Sequence, residues 1–334
     1  MSPATTVLLP AYQAAFTLEA AIASVLAQTD PDFELLVVDD GSTDGTGAIA
    51  AACADPRVRL VAIPHGGIVA ALEAGLATAR GRYIARMDAD DLMRPDRLAV
   101  QRSLLVAGDY GLVSCRVAHP DPGAAATEGY ARHVTWLNGI LTPEDIALNR
   151  FVESPLAHPS VLFRRELLER HGGYRDGDFP EDYELWLRWL EADVRMAKAP
   201  EVLLDWHDTP GRLSRTDPRY GVEAFYRLKA GYLARWLARH NPAHPDVVVW
   251  GSGKSSRQRA AYLEAAGCRI TAYVDVDPRR RISRDVPIRY YQEVRSPAQG
   301  FIVSYAGRRG AHEFVRTHLT SCGFLEGRDF LLAA

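Results

Sequence analysis

The chain has 334 residues, 47% of them apolar, and a formal net charge of −3. That length predicts two domains with a sizeable core, and the near-neutral charge excludes a nucleic-acid partner held by a bulk basic surface. The four cysteines, Cys53, Cys115, Cys268 and Cys322, form no C-x-x-C pair, which argues against a disulfide framework or zinc site and fits a reducing cytoplasm.

The start Met1-Ser-Pro-Ala-Thr-Thr6 has no basic stretch leading into an apolar one, so no signal peptide is expected. No apolar run approaches the length of a bilayer span. The expectation is a cytoplasmic protein with no transmembrane segment, at most peripheral at the inner face of the plasma membrane. Lysine is scarce, at Lys198, Lys229 and Lys254 only, a bias read as compositional and not mechanistic.

Thr5 to Leu9 reads as a short buried strand ending at Pro10. Leu18, Ala21, Ile22, Val25 and Leu26 then recur at helical spacing, with Thr17 as N-cap. Phe33 to Val38 is the next strand. It ends in Asp39-Asp-Gly-Ser-Thr-Asp-Gly-Thr46, a turn rich in glycine and small acceptors, before an alanine-rich helix. Val58 to Ile63 is a third strand, Pro64-His-Gly-Gly67 a turn, Ile68 to Ala79 a helix, and Tyr83 to Met87 a fourth strand. This alternation predicts a mainly parallel α/β sheet with right-handed crossovers.

The fourth strand runs into Ala85-Arg-Met-Asp-Ala-Asp-Asp91. Acids are depleted in strands, so Asp88, Asp90 and Asp91 are expected at the carboxyl end of the sheet, the edge where α/β sheets bind ligands. Clustered carboxylates repel one another unless a cation sits between them. A hard divalent ion bridging to a diphosphate is such a cation, although an isolated D-x-D is more often a solvated turn. Pro10-Ala-Tyr12 and Asp39-Asp40 fall on the same edge. A ring that stacks and a carboxylate that accepts from a base N–H suit a nucleobase. Taken singly, Tyr12 reads as a loop aromatic and Asp39 as a turn cap.

Together, Val7-Leu-Leu-Pro-Ala-Tyr12, Val37-Val-Asp-Asp-Gly-Ser-Thr-Asp44, Gly66-Gly-Ile-Val-Ala-Ala-Leu72 and Met87-Asp-Ala-Asp-Asp91 resemble the GT-A family of inverting glycosyltransferases, family 2, over roughly residues 5 to 220. The resemblance implies a nucleotide-sugar donor, most often UDP-linked, a divalent metal (Mn²⁺ or Mg²⁺), and a glycan or lipid-linked acceptor in bacterial cell-surface polysaccharide synthesis. It gives Asp39 the base, puts Tyr12 and the Pro10-Ala11 backbone against the nucleoside, and assigns Asp88 and Asp90 to the metal–diphosphate site. Many members carry Arg-Asn where this chain has Leu72-Glu73, which removes one contact to base or phosphates.

Pro95 to Val106 reads as a helix, Gly111 to Cys115 as a strand, and Asp121 to Thr127 as a loose loop. Pro143 to Asn149 reads as a helix with Thr142 as N-cap. His158 precedes a proline, so it sits in extended or turn backbone. The resemblance makes its segment part of the acceptor or sugar wall. Pro180, Glu181 and Asp182 open a helix with Leu185, Trp186, Trp189 and Leu190 as its apolar members. Acids in a first helical turn are favoured by the macrodipole alone. By resemblance this pair supplies the catalytic base, Asp182, with Glu181 as its neighbour. Val202 to His207 reads as a strand. The resemblance offers His207 as a third metal ligand and Arg212 and Ser214 as groups facing the diphosphate. Gly221 to Arg239 is an aromatic-striped helix closing the first domain.

His240-Asn-Pro-Ala-His-Pro245 is a linker by composition, dividing a transferase domain (1–240) from a smaller Rossmann-like α/β domain (246–334). In the latter, strands at Val247 to Trp250, Arg269 to Val274 and Phe301 to Ser304 alternate with helices at Ser255 to Ala266 and His312 to Ser321. Gly251-Ser-Gly-Lys-Ser-Ser256 is no Walker A loop, because Val248 stands where a glycine is required. It narrowly misses G-x-G-x-x-G, with Ser256 replacing the third glycine and Asp275 roughly 20 residues on. An accessory domain without a chemical step is expected, with self-association as one role. A sugar nucleotidyltransferase and a non-catalytic nucleotide-sugar sensor are the competing classes. Leu9-Pro-Ala-Tyr-Gln-Ala14 lacks the glycine-rich basic loop of the former.

Overall fold

The computed structural model describes residues 2–119, 128–207, 212–280, 282–283 and 286–334. It forms two compact units: Met1–Ile146 with Pro155–Asp217, and Ala147–Ser154 with Pro218–Ala334. The expected loop at 121–127 and the turn residues 208–211 lie outside the described residues.

The first unit is built on eight strands: β1 (Thr5–Ala11), β2 (Phe33–Asp40), β3 (Val58–Ile63), β4 (Tyr83–Arg86), β5 (Leu92–Met93), β6 (Leu112–Ala118), β7 (Leu162–Arg164) and β8 (Met196–Asp205). Their order across the sheet is β3-β2-β1-β4-β7-β6-β8-β5. The first four run parallel, β7 is antiparallel to both neighbours, and β5 is antiparallel to β8. Strands β1 and β2 are buried along their whole length, as expected of parallel strands covered on both faces. The intervening helices are α1 (Leu18–Leu26), α2 (Thr46–Ala52), α3 (Gly67–Thr78) and α4 (Arg97–Ala107). Helix α3 packs close to the sheet at Gly75, where any side chain would run into Leu8 and Val38.

Further along lie α5 (Glu128–Gly139), α6 (Pro143–Asn149), α7 (Glu166–His171), α8 (Glu181–Glu191) and α9 (Leu213–Thr216). Thr142 caps α6 as expected: its hydroxyl accepts from Asp145 N at 3.1 Å, and the Asp145 carboxylate accepts from Thr142 N at 3.1 Å. Thr17 stands at the N-cap of α1, but its hydroxyl makes no cap bond and faces Ala14 O at 3.4 Å. Strand β8 begins at Met196, earlier than the apolar run at Val202 suggests. Lys198 and Pro200 break the pattern, yet Lys198 is buried and its Nζ donates to the carbonyls of Leu137 and Pro155 at 2.5 and 3.2 Å.

The second unit carries α10 (Val222–His240), β9 (Asp246–Trp250), α11 (Lys254–Ala265), β10 (Arg269–Asp275), β11 (Ile282–Ser283), β12 (Val286–Tyr290), β13 (Ile302–Ser304), α12 (Ala311–Ser321) and β14 (Phe330–Leu332). Five strands, β12-β10-β9-β13-β14, are parallel, and β11 adds antiparallel to β12. This is an open, doubly wound α/β arrangement, fitting the expected second domain.

Helix α10, which the composition grouped with the transferase domain, belongs to this second unit. The segment 147–154 joins it there. Lys229 is buried on α10. Its Nζ donates to Phe151 O and Val152 O at 2.8 and 2.9 Å and lies 3.9 Å from the Tyr226 ring centroid. Trp236 packs edge-on against Phe151 and Phe301, and the Glu223 carboxylate accepts from Gln258 Nε2 at 3.0 Å. A boundary at the proline-containing turn would therefore cut α10 from its packing partners. A chain ending at Arg239 is expected to bind an apolar dye and to lose amide-exchange protection across 222–239. Full-length levels of protection there would show that α10 is held without residues 240–334.

Candidate active site

Strand register sets the edge that carries the candidate site. Ala11 pairs with Asp39, Asp40 with Ile63, and Leu8 with Arg86, so the carboxyl ends of four neighbouring strands line up. Pro10 and Ala11 are buried in the last residues of β1. Asp39 is 8% exposed, and its Oδ1 accepts from Ser42 N at 3.1 Å. A Cβ at Gly47 would come within 2.5 Å of Asp39 Oδ2, so a glycine lets the start of α2 approach that carboxylate. The adjacent Asp40 has a different duty: it accepts from Gly66 N and Gly67 N at 2.8 and 2.9 Å and fixes the start of α3. His65 Nδ1 lies 2.9 Å from the same carboxylate, and the His65 ring stacks on Tyr12 with centroids 4.1 Å apart and planes at 17°. Tyr12 remains 49% exposed.

Beyond β4, Met87 N still donates to Leu8 O at 3.0 Å, after which the chain leaves the sheet. Carboxylate oxygens of Asp88, Asp90 and Asp91 lie within 4.8 Å of one another. Asp91 is 1% exposed; its Oδ1 accepts from His207 N at 2.9 Å, and its Oδ2 is buried without a partner. Burial, and then the charges of Asp88 and Asp90, push the Asp91 carboxyl well above the usual range. Such a set of crowded, incompletely satisfied oxygens fits a hard divalent cation.

Two guanidinium groups answer this charge. Arg86 is 3% exposed, bonds Asp88 Oδ1 through Nη1, and buries its Nε without a partner. Burial opposes its charge, but Asp88 and other anionic neighbours outweigh that, and its pKa is raised. Arg212 lies over the Trp206 ring at 4.8 Å, donates to Tyr130 Oη at 3.2 Å, and feels all three aspartates. His207 meets the cluster through its backbone N–H; its ring lies outside the three-aspartate group, with Nδ1 buried and unpartnered. Ser214 is exposed on the short α9.

A second wall stands beside the first, because Arg86 N donates to Val161 O at 2.9 Å. The preceding 3-10 turn, His158–Ser160, carries His158, 10% exposed at its side chain. Its Nε2 is 2.7 Å from Tyr174 Oη, and its Nδ1 is 4.0 Å from Glu181 Oε1. Burial, then the Arg86 charge, hold the imidazole well below its ordinary pKa. Burial likewise raises the Tyr174 phenol.

Helix α8 begins at Glu181, with Pro180 at its N-cap, and is anchored by the fully buried Trp186 and Trp189. Arg188 ties it to the preceding turn by donating to Gly172 O at 3.0 Å and Gly173 O at 2.5 Å. Glu181 is buried and Asp182 half-buried. The Asp182 carboxyl is pushed up to about 7 by burial and the Glu181 charge, against the Tyr183 N–H and Arg86.

Tyr12, Asp39, the acidic cluster and Arg212 thus gather along one edge, with His158, Glu181 and Asp182 on the adjoining wall. Sequence reasoning passed over Arg86, although an arginine inside a buried strand is itself a signal. It also passed over His65 and Tyr174, and noted Glu73 only as a lost donor contact. Glu73 Oε1 accepts from Tyr174 N at 2.7 Å across 101 residues, a pairing without a local signature.

Residues 6–172 match the model of the family described as Glycosyl transferase family 2. The chain is 31% identical over 245 residues to succinoglycan biosynthesis protein ExoO of Rhizobium meliloti, covering 70% of this chain and 69% of that one. It is 25% identical over 227 residues to the O-antigen biosynthesis glycosyltransferase WbnJ of Escherichia coli, 65% of this chain and 83% of that one. Among solved structures, S. aureus TarS 1-349 in complex with UDP-GlcNAc aligns with a TM-score of 0.56 over 78% of this chain and 71% of that one. At 15% identity that likeness concerns the fold alone. The matched stretch holds the strand ends that carry Tyr12, Asp39 and Asp88 to Asp91, and with it the chain belongs to glycosyltransferase family 2 and has a GT-A fold.

Proposed function

We infer that the first unit transfers a sugar, with inversion, from a nucleotide-diphosphate donor to a hydroxyl of a glycan or lipid-linked acceptor. The observation that carries this reading is a pair of carboxylate sets: the crowded Asp88, Asp90 and Asp91, and the half-buried Asp182, whose carboxyl is pushed up to about 7 by burial and the Glu181 charge. UDP as the donor nucleotide is supported by TarS, solved with UDP-GlcNAc and with UDP. Surface-polysaccharide synthesis is supported by the names of ExoO and WbnJ. No helix among the described residues is long and apolar enough to cross a membrane. The cytoplasmic side of the membrane is the proposed place of action.

In this reading Tyr12 stacks on the base, Asp39 accepts from a base N–H, and the Pro10-Ala11 backbone borders the nucleoside. Asp88, Asp90 and Asp91 would hold Mn²⁺ or Mg²⁺, with His207 as a further proposed ligand. When bound, such an ion neutralises the departing diphosphate, so no separate general acid is needed. Arg212 gives the diphosphate a fixed positive charge, with Ser214 as a proposed hydroxyl donor. His158 borders the acceptor or the transferred sugar. Asp182 takes the acceptor hydroxyl proton as the new bond forms at the anomeric carbon, on the face opposite the leaving group. The Glu181 charge beside it contributes to raising its pKa.

The second unit is proposed to be an accessory domain that adds no chemical step and offers a surface for self-association. Its glycine turn places Gly251 at φ +111°, with Ser256 packed close against it. The carboxylate that would bind a ribose is already engaged: Asp275 Oδ2 accepts from Ser252 N at 3.3 Å and from Arg280 Nη1 at 3.4 Å.

Incubation with a panel of nucleotide sugars and free Mn²⁺ or Mg²⁺, following donor hydrolysis, tests the reading directly. Asp90→Ala is expected to abolish turnover and also to abolish the heat of Mn²⁺ binding in calorimetry. Unchanged activity in EDTA would remove the metal from the scheme. Asp182→Asn should lower kcat by about 10²–10⁴-fold, the contribution of a positioned general base, with nucleotide affinity little altered. Normal turnover in that variant would move the base to Glu181. A base must be ionised to accept a proton, so a carboxyl raised to about 7 predicts that kcat/KM falls as pH drops below neutrality. An acid limb near the ordinary carboxylate range would contradict the assignment.

A further inference from the structure

We propose that Glu73, Tyr174 and His158 form a chain of positioning residues that fixes His158 as its Nδ1–H tautomer and turns that N–H toward Glu181, the neighbour of Asp182. The proposal rests on the reading of Asp182 as base and explains how its neighbour is controlled.

Glu73 lies on α3, and the structure pairs its carboxylate with a backbone N–H far along the chain. Glu73 Oε1 accepts from Tyr174 N at 2.7 Å. The fit is tight: a Cβ on Gly173 would come within 2.5 Å of the same oxygen. Glu73 therefore holds the 173–174 backbone from α3, while Arg188 holds the Gly172 and Gly173 carbonyls from α8. The Tyr174 ring, 6% exposed, is delivered to one place, with its hydroxyl 2.7 Å from His158 Nε2.

A neutral imidazole has one N–H, and the hydrogen bond at one nitrogen decides which atom carries it. If Nε2 carried the proton, the Nδ1 lone pair would face Glu181 Oε1 at 4.0 Å, an unfavourable approach to a carboxylate only 2% exposed. If the Tyr174 hydroxyl donates to Nε2, Nδ1–H faces Glu181 and both contacts are attractive. Burial keeps the phenol protonated and the imidazole neutral, so the second arrangement is available throughout the neutral range. The groups bearing on Asp182 are Glu181 and the Tyr183 N–H from α8, Arg86 from β4, and Tyr174 from the loop before α8. Of these, Glu181 raises its pKa by charge and answers to His158.

Tyr174→Phe removes the donor to Nε2 and frees the tautomer to invert. Glu181 then takes up a proton more readily, Asp182 loses a negative neighbour, and its pKa falls. The expected result is a kcat reduced roughly tenfold with donor KM little changed, and an acid limb of kcat/KM moved down by about one pH unit, the equivalent of that free energy. Glu73→Ala should shift kcat and the acid limb in the same directions. Glu73→Gln, whose Oε1 still accepts from Tyr174 N, should restore both.

Nitrogen NMR of labelled histidine, with the His158 signal assigned by its loss in His158→Gln, should report protonated Nδ1 in the parent and a shift towards protonated Nε2 in Tyr174→Phe. Protonated Nε2 in the parent, or a Tyr174→Phe enzyme with unchanged kcat and acid limb, would overturn the proposal. If Asp182→Asn keeps full turnover, the base reading fails instead, and the tautomer measurement still decides the positioning chain.

Discussion

Negative charge packed against the carboxyl end of β4 is the constraint on which the site depends. Moving a carboxylate out of water costs several kcal/mol unless a partner answers it. Here Asp91 is buried with one oxygen unsatisfied, and Asp88 and Asp90 stand within 4.8 Å of it. Arg86 answers part of this charge from below and Arg212 part from the side. Neither completes the account, because the Arg86 Nε is also buried without a partner. A fold holds such an arrangement only if the surrounding elements are rigid. β4 is clamped between β1 and β7, and the Asp91 carboxylate is pinned by the His207 backbone at the end of β8.

The same guanidinium connects this edge to the second wall. Arg86 bonds Asp88, and its charge is felt by Asp182 and His158. Replacing it by a neutral residue would leave Asp88 without its ion-pair partner and would also raise the Asp182 pKa further. One cation thus bears on both anionic sets.

Much of the first wall was legible in the sequence because its information is local. β1 to β4 are continuous apolar runs bounded by proline, glycine or aspartate, and their observed limits differ from the expected ones by a residue or two. Tyr12, Asp39 and the acidic cluster sit directly at those limits. β5 and β7, of two and three residues, are too short to show a period. β8 opens around a buried lysine that imitates a surface residue. The membership of α10 was not legible: its aromatic stripe says that it packs, not against what. The pairing of Glu73 with Tyr174 was invisible for a similar reason, since nothing near either residue announces the other.

The position of Asp182 sets two effects against each other. At the start of α8 it lies in the first helical turn, where the macrodipole and the Tyr183 N–H favour the ionised form, and Arg86 adds to that preference. Burial and the Glu181 charge act in the opposite sense and prevail, so the carboxyl rises instead of falling. A carboxyl tuned by the helix end alone would be ionised at any physiological pH but a feeble base. One buried without Arg86 would stay protonated. The balance between them holds the carboxyl at about 7, the range in which the proposed general base would be most effective. Asp91, crowded by two like charges where Asp182 meets one, is almost closed to solvent, which suits the proposed metal ligand better than a group that must meet an acceptor.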